Sequence, residues 1–168
     1  MAERGGRQRA VVAVAGVVVL DRLSKLLAEN YLSSSESFVV IPGFFNLLRT
    51  ENRGAAFSLL AGVEGPLGPG LLIAVSTLAV LAISIVLWRT SKSAYQDPRL
   101  RFGLALILGG ALGNLFDRVV RGAVIDFVEL YVGSFHWPAF NVADAAITLG
   151  ALVALLDMWR ARRAAPRT

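Results

Sequence analysis

Two aspartates stand where an aspartate is costly. Asp126 lies in "GAVIDF", with apolar residues on both sides, and Asp144 lies in "FNVADAAITLGALVALL", at the first turn of a long apolar run. Eighteen positions separate them. If folding brings them together, the chemistry is defined. Two neighbouring carboxylates do not both ionise easily, so the pair shares a proton. The ionised member can take a proton from water, and the protonated member can donate one to a carbonyl oxygen. Water then attacks the amide carbon, and the roles reverse as the amine leaves. Such a pair titrates as a unit, so neither residue is assigned as acid or base. The ordinary alternative for Asp144 is a charge complementing a helix dipole, worth under about 1 kcal/mol. That alternative does not account for Asp126.

Other polar residues accompany the pair. Asp21 and Lys25 are four apart, acid first, the favourable order for a helical pair, and a snorkelling lysine with a local partner would also explain them. Asn114 and Arg118 are likewise four apart. Arg118 could bind a substrate carbonyl, a carboxylate or a lipid phosphate, or serve as an interfacial anchor. Asp117 is expected to pair with Arg121 along the same helix. Asn52 sits in Asn52-Arg53-Gly54, where turn chemistry alone would explain it. Asn141 could be a helix N-cap. His136, beside Trp137 and Pro138, reads as an interfacial residue. Ser24 and Ser58 lack a histidine nearby in sequence, which disfavours a serine mechanism. With no cysteine, one histidine and no HExxH, thiolate catalysis, disulfides and a zinc peptidase are excluded.

Four apolar blocks must position these groups. The first, "AVVAVAGVVVL" (10–20), follows Arg4, Arg7 and Arg9 but lacks a small-x-small cleavage pattern, so it reads as an uncleaved anchor. Eleven residues rise only about 16 Å as a helix, so that helix must run on through Asp21 and Lys25. The second block, Leu67–Trp88, carries no charge and begins beside Pro66 and Pro69; the third spans 102–116; the fourth is the run containing Asp144, ending at Trp159. Gly109 and Gly113 would permit close helix packing. The expected spans are about 9–28, 67–88, 100–118 and 141–160. Eleven of the seventeen Lys and Arg residues then share one side with both termini, which predicts cytoplasmic termini and outward-facing segments at 30–66 and 119–140. In the first outer segment, β-prone runs broken at Pro42-Gly43 and at Asn52-Arg53-Gly54 predict two or three short strands over about 37–60. Phe38, Phe44, Phe45 and Phe57 would lay them on the membrane surface. The second is apolar and aromatic, with Phe127, Tyr131 and Trp137 suited to an interface.

Composition agrees with a membrane chain. Of 168 residues, 55% are hydrophobic and 17% charged, against about a quarter charged in soluble domains. The net charge of +5 sits mainly at block ends, which fits topology anchors better than a nucleic-acid surface. By this topology Asp21, Lys25, Asn114, Asp117, Arg118, Asp126, Asn141 and Asp144 all lie at one depth, near the outer face. A small proton-coupled transporter using the same aspartates as a relay is the alternative, but transporters place ionisable groups near the midplane, and here the span middles are clean. A scaffold whose charges only fix topology would leave the gathered Asn and Asp residues unexplained.

The pieces "DRLSK" (21–25), "ENRGAAFS" (51–58), "GGALGNLFDRVVRGAVIDF" (109–127) and "FNVADAAI" (140–147) resemble, in order, those of the bacterial lipoprotein signal peptidases, signal peptidase II. The resemblance implies a single membrane all-α domain over 1–168: four transmembrane helices, with a small β-sheet and a short loop helix on the outer face. It implies an aspartic endopeptidase that cuts the signal peptide from diacylglyceryl-modified prolipoproteins just before the lipidated cysteine. The catalytic pair maps onto Asp126 and Asp144, and supporting positions onto Asp21, Lys25, Asn52, Gly54, Asn114, Arg118 and Asn141. No cofactor, metal or nucleic acid is implied. Inhibition by cyclic peptides such as globomycin, a monomeric state and residence in the cytoplasmic membrane, site facing outward, are expected. The substrate's acyl chains, at roughly 0.8 kcal/mol per buried CH₂, would hold the scissile bond at headgroup depth.

Overall fold

In a computed structural model of the chain, the structure describes residues 2–54, 67–92 and 97–164. Helix α1 runs over Ala2–Tyr31, strands β1 and β2 over Phe38–Ile41 and Phe45–Asn52, helix α2 over Leu67–Lys92 and helix α3 over Pro98–Arg121. Strands β3 (Val124–Val132) and β4 (Phe135–His136) follow, then helix α4 (Val142–Ala164). Phe57, Ser58 and Pro66 lie outside the described residues. Three helices are long and apolar enough to cross a membrane, those over Gly68–Thr90, Pro98–Arg121 and Val142–Arg163. The 30-residue α1 is long enough, but Asp21, Arg22 and Lys25 interrupt its apolar run, so the expected four spans become three by composition. The multi-pass membrane character stands on these three.

Helix α3 is the centre of the bundle, touching α1, α2 and α4. Its start is fixed by Asp97, whose Oδ1 accepts from the Arg99 N–H at 2.7 Å, with Pro98 in the first turn, where a missing N–H costs nothing. It ends at Gly122, in the left-handed region at φ 75°, whose N–H donates to the Arg118 carbonyl. Close approach to α4 depends on small residues: a Cβ on Gly103 would lie 2.7 Å from the Gly150 carbonyl oxygen, and one on Gly110 would collide with the Ala143 carbonyl. Gly109 faces α1, where a Cβ would lie 2.8 Å from that of Val17. Lipid-facing positions such as Val12, Leu78 and Leu155 stay exposed and apolar, as a hydrocarbon solvent requires.

The sheet is antiparallel in the order β1-β2-β3-β4. β1 and β2 meet at the Pro42-Gly43 turn, with Gly43 at φ 78°, and β2 ends at Asn52, the two breaks that the turn residues foretell. The second outer segment was expected to be an aromatic interface stretch, yet "VIDFVELYV" pairs with β2, setting Thr50 opposite Asp126 and Asn52 opposite Val124. Its β-branched and aromatic residues suit a strand buried at one end: Val124 to Phe127 are covered and Val132 is exposed. Among the described residues no short helix separate from α1–α4 occurs. Phe140 bridges to Val128 just before α4, which places the start of α4 beside the buried half of β3.

Candidate active site

Asp126 enters the site from the buried half of β3 and Asp144 from the first turn of α4; Asn141 touches both. Its side-chain Nδ2 donates to Asp126 Oδ1 at 2.6 Å, and its backbone N–H donates to Asp144 Oδ2 at 3.2 Å. In return the Asp144 N–H donates to Asn141 Oδ1 at 3.0 Å. Asn141 and Asp144 therefore form a reciprocal capping box at the N-terminus of α4. The ordinary roles suspected for both residues are real, and they are what orients the Asp144 carboxylate. Asn52 has the same double nature. Its Oδ1 accepts from the Gly54 N–H at 3.0 Å, closing the turn, while its Nδ2 donates to Asp126 Oδ2 at 3.0 Å. Both oxygens of Asp126 thus accept from amides on two different elements.

The α3 side completes the arrangement. Asn114 Nδ2 donates to Asp144 Oδ1 at 2.8 Å, and Asn114 Oδ1 accepts from Lys25 Nζ at 3.0 Å. Lys25 is fully buried, so the snorkelling alternative fails: its ammonium turns inward to Asp21 Oδ2 at 2.8 Å and Asp117 Oδ2 at 2.7 Å. Asp21 Oδ1 in turn accepts from the Ala143 N–H at 3.0 Å, satisfying an orphan donor of α4's first turn. Gly113 makes room for this, since a Cβ there would lie 2.5 Å from Asp21 Oδ2. Arg118 donates through Nη1 to the Asn114 carbonyl at 3.4 Å, and its buried Nε has no hydrogen-bond partner among the described residues. Its charge is close enough to interact with Asp144, Asp126 and Asp117.

The electrostatics differ from those of a surface carboxylate. Burial, with only 2% of Asp126 exposed, pushes its carboxyl up to about 6. The Asn52 hydrogen bond opposes that rise, and the Asp144 charge adds to it. A pair of this kind can hold one proton near neutral pH, the state that an acid–base exchange across an amide needs. Among the described residues no three His, Cys, Asp or Glu side chains come together as a metal-ligating group.

All nine residues singled out from the sequence therefore fall in one connected cluster. The expected Asp117–Arg121 pair does not form. Asp117 faces α1 and pairs with Lys25 and Arg22, while Arg121 pairs with Glu29. Intrahelical spacing made the wrong partner look best, because interhelical partners leave no mark in sequence separation. Also unforeseen was the outer group in which Glu129 accepts from Asn46 at 2.9 Å and meets His136 Nδ1 at 3.0 Å. His136 is about half exposed there, away from the two aspartates. Ser24 bonds to the Asp21 carbonyl of its own helix.

Comparison with known proteins points to one family. The model of the signal peptidase (SPase) II family matches residues 13–160. The chain is 40% identical over 159 residues to the lipoprotein signal peptidase of Solibacter usitatus, covering 95% of each. It is 44% identical to that of Geobacter sulfurreducens, covering 91% of this chain and 93% of the relative. A bacterial membrane enzyme solved by the in meso method at 2.3 Å superposes with a TM-score of 0.78, at 26% identity, over 96% of this chain and 94% of that one. A second, at 1.9 Å, gives a TM-score of 0.72 at 28% identity, over 90% of this chain and 92% of that one. A peptidase thus emerges from both the residues and the relatives, and the chain belongs to the signal peptidase II family.

Proposed function

We propose that the chain is an aspartic endopeptidase of the cytoplasmic membrane that removes signal peptides from diacylglyceryl-modified prolipoproteins. Asp126 and Asp144 are its catalytic pair. The observation that carries this reading is the single residue Asn141 donating to both carboxylates, which come from different elements and are otherwise held by Asn52 and Asn114. Such cross-bracing fixes the two groups for a shared task; two unrelated charges would need no common donor. One carboxylate activates water while the other protonates the carbonyl, and the proton returns to the departing amine. Arg118, its Nε buried and unbonded, stands ready to take the carbonyl oxygen as negative charge develops there.

In this reading the whole chain is one domain, α1 is the fourth span, and the site faces outward with both termini in the cytoplasm. Asp21 and Lys25 turn into the protein and neutralise each other, so α1 still presents Val12, Val19, Leu20, Leu23 and Leu27 to lipid. The preference of basic residues for the terminal side sets the orientation. The substrate's diacylglyceryl group stays in the bilayer and brings the scissile bond to the start of α4. A monomer suffices, because both carboxylates come from one chain, and globomycin-type cyclic peptides would compete for the same groups. The transporter alternative is set aside, since the family is one of peptidases.

The test uses purified protein in detergent, a diacylglyceryl-modified prolipoprotein and an unlipidated copy. Cleavage of the first alone is expected, with Asp126→Asn and Asp144→Asn each inactive while still folded. Near-normal cutting by either variant would overturn the assignment.

A further inference from the structure

Asp117 has no part in two-carboxylate chemistry, yet it is wholly buried three residues beyond Asn114 on α3. A buried carboxylate is costly unless its partners are fixed, and Asp117 meets Lys25 from one side and Arg22 from the other. Lys25 Nζ has three protons and no lone pair; it donates to Asp21 Oδ2 and Asn114 Oδ1, and it is ion-paired with Asp117 Oδ2 at 2.7 Å, off the line of a hydrogen bond. Because an ammonium can only donate, the Asn114 atom facing it must be the oxygen. The Asn114 nitrogen is thereby forced toward Asp144 Oδ1, at 2.8 Å. The amide cannot turn over without setting its NH₂ against the ammonium and its oxygen against a carboxylate.

We propose that Asp117 is a positioning residue for the reaction, acting through Lys25 and Asn114 to keep a donor aimed at Asp144. Asp21 alone cannot do this. Its other oxygen is committed to the Ala143 N–H, and it lies on the same helix as Lys25, so the pair can shift together. Asp117 sits on α3 with Asn114, and it therefore draws the ammonium to the helix whose amide must be oriented. The inference rests on the catalytic pair proposed above.

The experiment measures kcat, KM and the pH dependence of kcat for Asp117→Asn on the lipidated prolipoprotein, normalised to folded protein. The expected result is a 10- to 100-fold lower kcat, KM within about twofold of wild type, and displaced limbs of the pH profile. A second variant, Asp21→Asn/Lys25→Met/Asp117→Leu, replaces the whole buried ion triad by neutral residues of similar size, an exchange that buried ionic groups often tolerate in stability. It frees Asn114 and should show the same loss while remaining folded. Wild-type kcat and an unmoved pH profile in either folded variant would reduce Asp117 to a purely structural residue, whatever happens to thermal stability. Asp126→Asn and Asp144→Asn run alongside: if they are dead and Asp117→Asn is normal, only the positioning role falls; if they are active, the catalytic pair itself falls.

Discussion

The two ends of the helical bundle carry the same kinds of charged residue and use them in opposite ways. At the end that holds Asp126 and Asp144, polar groups turn inward and bond across elements: Lys25 of α1 to Asn114 of α3, Asn114 to Asp144 of α4, Asp21 of α1 to the backbone of α4. At the other end the contacts between elements are looser, and the rest lie within one element. Arg7 lies over the Trp88 ring at 5.8 Å, Arg163 over its helix neighbour Trp159 at 3.9 Å, and Asp97 caps the helix it precedes. Arg101 of α3 is buried there, and its Nη2 donates to the Thr90 carbonyl of α2 at 3.4 Å. Charge alone does not mark a site. A polar group whose partners come from several elements has been placed at the cost of desolvation, and function is the usual reason.

The strongest way to break that contrast is at the aspartates. Asp144→Asn should lower kcat at least 1,000-fold, as removing one member of a catalytic unit does, and Asp126→Asn should do the same. Measured together, the double variant should be little worse than either single one, as expected of a pair that acts as one device. If the double loss were the product of the single losses, the two residues would be acting independently.

Stability should move the other way at Asp126. Its carboxyl is held near 6 in the fold, against about 3.9 in an unfolded chain. The neutral form's contribution is complete below the unfolded value and is lost as pH rises through about 6. Two pH units correspond to roughly 3 kcal/mol, the most that ionising this group can cost the fold. Asp126→Asn should therefore be more stable than wild type at pH 8, by about 1–3 kcal/mol, with the advantage shrinking at pH 5. Thermal unfolding in detergent at the two pH values reads the difference. An equal shift at both would mean that desolvation of the carboxylate is not what raises it.

These two effects touch residues that were legible in the sequence, and the reason is physical. Asp126 and Asp144 stood out because an acidic residue amid apolar ones needs an explanation. The strands around Pro42-Gly43 and Asn52 were legible because turn residues have fixed backbone demands. What stayed hidden depends on the third dimension. β3 read as an interface segment, because an apolar aromatic run suits a strand and a membrane surface equally. Asp117 looked like a partner for Arg121, because spacing reports only neighbours on the same helix. The α3–α4 contact runs chiefly through Gly103, Gly110 and Gly150; of the Gly109 and Gly113 spacing that drew notice, Gly109 faces α1 and Gly113 lies between Asp21 of α1 and Ala143 of α4.

Glycine offers a sharper probe of what holds the cross-braced end. Gly113→Ala places a methyl against the Asp21 carboxylate, which Lys25 and the Ala143 N–H fix in place. Overpacking of this order costs about 1–3 kcal/mol. Because the displaced group belongs to the same network, kcat should fall as well, by about tenfold. Gly103→Ala presses on the Gly150 backbone farther along the α3–α4 contact and should cost similar stability with kcat per folded molecule unchanged. Equal kinetic effects from the two variants would mean that bundle packing, rather than the polar cluster, governs the rate.

The smallest effect belongs to the far end. Asp97 accepts the Arg99 N–H at 2.7 Å and, with Pro98, starts α3. That capping bond holds the carboxyl below its ordinary range. Removing such a cap costs about 1 kcal/mol, since the first-turn N–H groups must then find water. Asp97→Ala should lower the thermal midpoint by a few degrees, and part of that loss should vanish at low pH, where the wild-type carboxyl is itself protonated and bonds the N–H less strongly. Turnover per folded molecule should stay at the wild-type level, because among the described residues no hydrogen bond links Asp97 to the cluster at the opposite end of α3. A helix 24 residues long is about 36 Å from end to end, well beyond the reach of a local capping change. If Asp97→Ala slowed cleavage as much as Asp117→Asn, distance along α3 would not insulate the site, and the bundle would have to be treated as one mechanically coupled unit.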